Sequence, residues 1–175
     1  MKIIVLRLGH RVFRDKRLTT HICLIARAFG ADSVVFSGEE DNSIIESVTD
    51  IINRWGGPFE VKYDKNWKAF LKKHSDFEII HLTMYGLPYQ EHISEIKKSK
   101  KDKLIVVGSE KVPGEVYHAA QYNLSVTSQP HSEAAALAVF LHEFFEGKEL
   151  KKEFKNAELK IAPNKCGKTI IKAKK

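Results

Sequence analysis

The chain has 175 residues, 43% hydrophobic and 29% charged, enough for one domain with a proper core and too few for a second full one. Its apolar runs fall well short of the ~20 residues that cross a bilayer, and its N-terminus, MKIIVLRLGH, lacks the long apolar region and small-residue cleavage site of a signal peptide. A cytoplasmic protein without membrane contact is expected. The two cysteines, Cys23 and Cys166, fit a reducing compartment, with a long-range disulfide as the alternative. The net charge of +7 belongs to residues 148–175, which carry ten lysines against Glu149, Glu153 and Glu158, because residues 1–147 balance 19 Lys and Arg against 19 Asp and Glu. A basic tail on a neutral body predicts a polyanionic partner.

Residues 2–8 form a nearly continuous apolar run, the pattern of a strand covered on both faces. The overlapping stretch 6–21, LRLGHRVFRDKRLTTH, crowds Arg7, Arg11, Arg14, Lys16 and Arg17 around a single acid, Asp15, and holds four of the six arginines of the chain. It reads as a basic loop leading into a helix, in which Leu18, Ile22, Ile25 and Phe29 recur at helical spacing, Thr19 or Thr20 is the cap and Gly30 the stop. A strand at 32–36, a helix at 42–55, a short strand at 59–63 and a short helix at 66–73 follow. FEIIHL (77–82) and KLIVV (103–107) are two more buried strands, with a helix at 88–98 between them. A helical turn near 113–119 precedes the last core strand, 122–126, and residues 132–145 form an apolar helix. Beyond Gly147, segments 158–162 and 169–172 predict a terminal β-hairpin. Strands alternating with helices predict an α/β fold with a mostly parallel sheet and helices on both faces. The chain divides into a body, 1–147, and a basic extension, 148–175.

In such sheets ligands bind at the carboxyl ends of the strands. The candidate ends are Gly9, Ser37-Gly38, Leu82-Thr83, Gly108-Ser109 and Val126-Thr127. Arginine offers a planar fork of donors suited to phosphate, so the first end predicts an anionic ligand. Gly108 admits a ligand close to the backbone, and Pro113 pre-sets a helix start. Thr127-Ser128-Gln129-Pro130-His131-Ser132-Glu133 is densely polar before an apolar helix. A cap needs only Ser132 or Ser128, so the additional Gln, His and Glu point to a function. A lone Gly9 is not a dinucleotide-binding fingerprint, and no P-loop occurs. The histidines His81, His118, His131 and His142 lack ligand spacing, so no metal is expected, and no nucleophile motif is present.

Three segments, RLGHRVFRDKRLTTHICLIARAFGA, GSEKVPGEVY and YNLSVTSQPHSEAAALAVFL, together resemble the signature blocks of the archaeal tRNA (cytidine-56) 2′-O-ribose methyltransferases, a family of the SPOUT superfamily. The resemblance implies a sheet whose C-terminal part forms a deep trefoil knot, S-adenosylmethionine bound in that knot, and a homodimer with the site at the subunit interface. It implies a cofactor pocket of Leu82, Gly108, Ser109, Glu110, Lys111 and Val112, completed by Val126, Thr127, Ser128, Gln129, Pro130, His131, Ser132 and Glu133. In related ribose methyltransferases an arginine of the first motif assists the attacking hydroxyl. Arg14, Arg17 and Arg27 are candidates here, with Arg17 expected to be catalytic and Arg14 to hold phosphate. Arg7, Arg11, Lys151, Lys152 and Lys155 are expected to contact tRNA. The alternatives to ribose methylation are a non-catalytic knotted RNA-binding protein and a SPOUT base methyltransferase.

Overall fold

Alternate residues of the first strand, β1 (Ile3–His10), point into two separate cores. Ile3 and Val5 join one cluster, Ile4, Leu6 and Leu8 the other, which is why the sequence there is apolar without alternation. The computed structural model describes residues 1–109 and 111–173. With β2 (Ser33–Gly38), β3 (Glu60–Tyr63), β4 (Glu78–Pro88), β5 (Lys103–Val107) and β6 (Tyr122–Ser125), β1 forms a six-stranded sheet in the order β3-β2-β1-β5-β4-β6. Every pair in it is parallel. Helices α1 (Val12–Ala28), α2 (Asn42–Trp55), α4 (Tyr89–Lys98) and α6 (Glu133–Phe145) cover one face. The short α3 (Trp67–Lys73) and α5 (Gly114–Ala119) cover the other, through Leu71 and Val116. The α/β parallel architecture expected from the sequence is therefore the one observed. Among the described residues no helix is long and apolar enough to cross a membrane.

Two elements differ from the sequence expectation. The basic stretch is not a loop: α1 begins at Val12, so Arg14, Lys16 and Arg17 lie in its first two turns. Its N-terminus is stabilised from a distance, the Glu39 carboxylate accepting the Val12 amide at 2.7 Å. A carboxylate is favoured at that positive end of a helix, and no local sequence pattern reveals one supplied from 27 residues away. Strand β4 does not stop at Leu82 but resumes to Pro88. Leu82 and Leu87 both pair with Leu124, so the intervening residues bulge out of the ladder at the edge of the sheet.

The basic extension is docked against the body. A 3₁₀ turn (Lys148–Lys151) follows α6, its buried Glu149 accepting from His142 Nδ1 at 2.6 Å. Phe154 then stacks under the Arg27 guanidinium, 4.1 Å from it, and Gly57 and Lys155 exchange backbone hydrogen bonds at 2.9 Å. Arg27 also donates to Trp55 O and Gly56 O, the unpaired carbonyls at the end of α2. It is therefore the clamp between α1, α2 and the extension. Strands β7 (Leu159–Ala162) and β8 (Thr169–Lys172) form the expected antiparallel hairpin. Both cysteines are free, Cys23 buried and Cys166 exposed.

At the sheet edge, His81 is fully buried and its Nδ1 lies 2.9 Å from Asn123 Oδ1, while Asn123 Nδ2 donates to Tyr117 O at 2.9 Å. The amide is thereby oriented, so Nδ1 carries the proton and Nε2 is the bare acceptor. Burial holds the imidazole below its ordinary pKa.

Replacing Arg27 by Ala removes the α2 cap and the Phe154 stack together, and should cost about 2 kcal/mol in denaturant unfolding. It should also make the extension susceptible to limited proteolysis. As the pH falls below about 6.5 the unfolded chain binds the His81 proton before the folded one does. Stability should therefore decline from that pH toward the lower folded value, by up to about 1.4 kcal/mol per pH unit, and His81→Gln should flatten the slope of melting temperature against pH.

Candidate active site

Because the strands are parallel, their carboxyl ends open on one side, and a cleft of about 950 Å³ lies there. Its walls come from four places. Leu82 to Tyr85 belong to the bulged end of β4, and Gly108, Ser109, Lys111 and Val112 to the loop after β5. Val126, Pro130, His131, Glu133 and Ala136 lead from β6 into α6. Arg14, Asp15 and Leu18 project from the first turns of α1. His81 and Tyr117 complete it, and Tyr117 OH lies 3.1 Å from Thr83 Oγ1.

The segments meet because two glycines permit it. Gly9 has φ +70, and a Cβ there would lie 3.2 Å from Ser109 Cβ, so β1 turns into α1 directly against the β5 loop. A Cβ on Gly108 would overlap Val112 Cγ2, so only glycine lets that loop fold back over the strand end.

Beneath the cleft, Arg7 is wholly buried. It donates from Nη1 to Leu8 O at 2.5 Å, and its Nη2 lies 3.7 Å from Glu133 Oε1. Burial pushes this guanidinium below its usual range, and Glu133 and Asp15 oppose that shift. The expectation that Arg7 contacts tRNA is corrected. It lies within a strand whose two faces are both covered, and it serves as a buried counter-charge to Glu133 at the start of α6.

Asp15 is also buried, 3% exposed. It accepts from Arg14 Nε at 3.0 Å on Oδ1 and from Arg11 Nε at 3.3 Å on Oδ2. Burial alone would raise its pKa, but hydrogen bonds from Arg14 and Arg11 and the charges of Arg14 and Arg7 outweigh it, so the carboxyl stays below the usual range and ionised. His10, buried beside them, bonds to Thr19 Oγ1 through Nδ1 at 2.9 Å, and burial lowers its pKa against the pull of Asp41. Arg11 lines an adjoining recess of about 560 Å³ that shares Ser109 and Lys111 with the main cleft.

Of the residues expected in a cofactor pocket, Leu82, Gly108, Ser109, Lys111, Val112, Val126, Pro130, His131 and Glu133 line this cleft. Thr127, Ser128 and Gln129 are exposed beside it, and Ser132 is the α6 cap, accepting from Ala134 N at 3.2 Å. Glu110 lies outside the described residues. Arg14 lines the cleft, whereas Arg17, one turn further along α1, is exposed and does not. Arg27 serves the clamp described above and is far from a candidate for chemistry. The side chains of Lys151, Lys152 and Lys155 are exposed on the docked extension. Among the described residues no group of three or more His, Cys, Asp or Glu side chains is arranged to hold a metal.

Sequence reasoning placed Thr83 at a candidate strand end but missed Asp15, His81, Met84, Tyr85 and Tyr117 as lining residues. A signal existed for two of them: Asp15 is the one acid in a cationic run, and His81 interrupts an otherwise apolar strand.

A family model described as tRNA ribose 2′-O-methyltransferase, aTrm56, matches residues 55–171. The chain is 57% identical over 173 residues to the tRNA (cytidine(56)-2′-O)-methyltransferase of Thermococcus kodakarensis, a match covering 97% of this chain and 96% of that protein. It is 52% identical over 172 residues to the protein of the same name from Pyrococcus horikoshii, covering 97% and 84%. In fold it is similar to the A. aeolicus TrmH/SpoU tRNA modifying enzyme, with a TM-score of 0.60 at 19% identity over 86% of this chain and 77% of that one. The AdoMet-bound rRNA methyltransferase from Sinorhizobium meliloti gives a TM-score of 0.59 at 18% identity, over 84% of this chain and 57% of that one. Sequence similarity along nearly the whole chain, together with the architecture at the strand ends, places the protein in one family: it belongs to the aTrm56 tRNA ribose 2′-O-methyltransferases.

Proposed function

We propose that the protein transfers a methyl group from S-adenosylmethionine to the 2′-hydroxyl of cytidine 56 in tRNA. The observation that carries this reading is the meeting of Arg14, in the first family-matching segment, with the other two in one cleft. The cleft suits the cofactor: about 950 Å³ is at the upper end of the usual range for a bound small molecule. Leu82, Val112, Val126 and Ala136 offer apolar walls for a purine, and the Gly108 loop offers backbone donors and acceptors beside them. When bound, S-adenosylmethionine supplies an electrophilic methyl group on a sulfonium.

The protein's own task is then to hold a ribose hydroxyl in line with that methyl and to ease the loss of its proton. Positioning alone accounts for a large part of such a barrier. A guanidinium remains protonated at working pH and cannot take the proton itself. Its hydrogen bonds stabilise the developing alkoxide, and the proton leaves to a phosphate oxygen or to water. Arg14, on the cleft wall, takes this role, and Arg17, exposed one turn away, holds backbone phosphate. This reverses the roles expected from resemblance, because a phosphate contact can be made from the rim and a hydroxyl contact cannot.

The protein works in the cytoplasm of an archaeon as a homodimer with the trefoil knot of its superfamily. Phe13, fully exposed on α1, and Val139, 43% exposed on α6, support pairing of these neighbouring helices with a second copy. Residues 1–147 carry the chemistry, and the lysines of 148–175 add sequence-independent attraction for tRNA.

Incubation with labelled S-adenosylmethionine and an unmodified tRNA transcript should place one alkali-resistant ribose methyl at position 56. Label on a base, or no transfer, would overturn the proposal. Arg14→Ala should reduce kcat by roughly 100-fold or more at unchanged cofactor affinity, the scale of losing one oxyanion donor. Arg17→Ala should chiefly raise KM for tRNA. Replacing Lys151, Lys152 and Lys155 together by Ala should weaken binding to all tRNAs alike and flatten its dependence on salt, as read by filter binding across an ionic-strength series.

A further inference from the structure

We propose that Asp15 is a positioning residue for the methyl transfer: its buried carboxylate holds the Arg11 and Arg14 guanidiniums in fixed planes. The inference rests on the reading of Arg14 as the group that meets the ribose hydroxyl. It adds a residue that acts through the arginines it holds.

The geometry is specific. The two carboxylate oxygens are divided between two arginines, Oδ1 taking Arg14 Nε at 3.0 Å and Oδ2 taking Arg11 Nε at 3.3 Å. The arginine side chains remain about half exposed, 53% and 43%, while the acid between them is 4% exposed. An exposed ion pair is worth little, since holding two long side chains consumes most of its attraction. A carboxylate withdrawn from water beneath two exposed arginines does something else. It fixes where the guanidiniums stand before any anion arrives.

Fixing them in advance matters for this reaction. An arginine side chain carries about 2 kcal/mol of rotamer entropy, which otherwise must be lost when the substrate docks. In-line attack tolerates little displacement, and a shift of about 1 Å can cost on the order of 100-fold. The acid also has a reason to be buried where it is. Arg7, fully desolvated, needs negative charge nearby, and Asp15 and Glu133 are the acids that oppose the lowering of its pKa. Glu133 opens α6 on the cofactor side of the cleft, and Asp15 lies in the first turns of α1 on the RNA side.

The test compares steady-state transfer to an unmodified tRNA transcript by the wild type, Asp15→Asn, Arg14→Ala and the double variant, with cofactor affinity measured by titration of S-adenosylmethionine alone. Asp15→Asn should lose roughly 10- to 100-fold in kcat at unchanged cofactor affinity. The double variant should be no worse than Arg14→Ala by itself, because Asp15 acts through Arg14. Wild-type kcat in Asp15→Asn, or losses that multiply in the double variant, overturn the positioning role while leaving Arg14 in place. Full transfer by Arg14→Ala overturns the assignment of Arg14, and the role of Asp15 with it. Should Asp15→Asn fail to bind the cofactor, Asp15→Glu carries the test. It keeps the charge on an arm one methylene longer, so a lower kcat with intact cofactor affinity supports positioning, and an unchanged kcat refutes it.

Discussion

A cluster of cations at the N-terminus of a helix works against the helix, whose own dipole is positive there. Arg11 sits at the N-cap position of α1 without capping it, and Arg14, Lys16 and Arg17 follow within its first turns, so this helix start needs negative charge supplied to it. Two carboxylates do so. Glu39 arrives from the end of β2 to accept the Val12 amide, and Asp15 is buried within the cluster. The arrangement neutralises the helix end without cancelling the outward-facing cations. Arg14, Lys16 and Arg17 stay exposed on the helix, while Asp15 lies buried beneath them.

The parallel sheet determines what those arginines face. All six strands end on one side, so the β1–α1 junction, the β5 loop and the β6–α6 turn open toward the same space. Gly9 brings the first two into contact at Ser109. Arg7 holds the third through Glu133 from below. The walls of the cleft are thereby built on rigid elements, which suits the proposed transfer, a reaction governed by alignment more than by acid–base strength. The extension contributes at a distance. It is tied down by Arg27, Phe154 and the Gly57–Lys155 backbone pair, and its lysines point outward from that dock.

Much of this was legible beforehand in elements where local chemistry decides. KLIVV is a strand over the same residues in which it was read, and the terminal hairpin lies where its Pro, Asn and Gly punctuation put it. The cleft loops were legible for a related reason: in a parallel sheet the strand ends are known once the strands are. The errors have a common cause. The α1 cap was placed at Thr19 or Thr20 instead of Arg11 because the stabilising carboxylate, Glu39, comes from just beyond β2, and β4 was cut short because its second half pairs only with β6.

Arg7 is the sharpest case. In sequence it is one more cation in a basic run, indistinguishable from Arg11 or Arg14. Its burial follows from occupying a strand position between two packed layers, which no neighbouring residue reveals. The sequence by itself determined the α/β class, the strand ends and the family, because these depend on periodicity, turn chemistry and long literal matches. Only the tertiary structure decided which arginine is a buried counter-charge, which lines the cleft and which is a clamp. Burial and pairing of charge are set by contacts between residues far apart in the chain, and electrostatics in a desolvated site depends on those contacts rather than on composition.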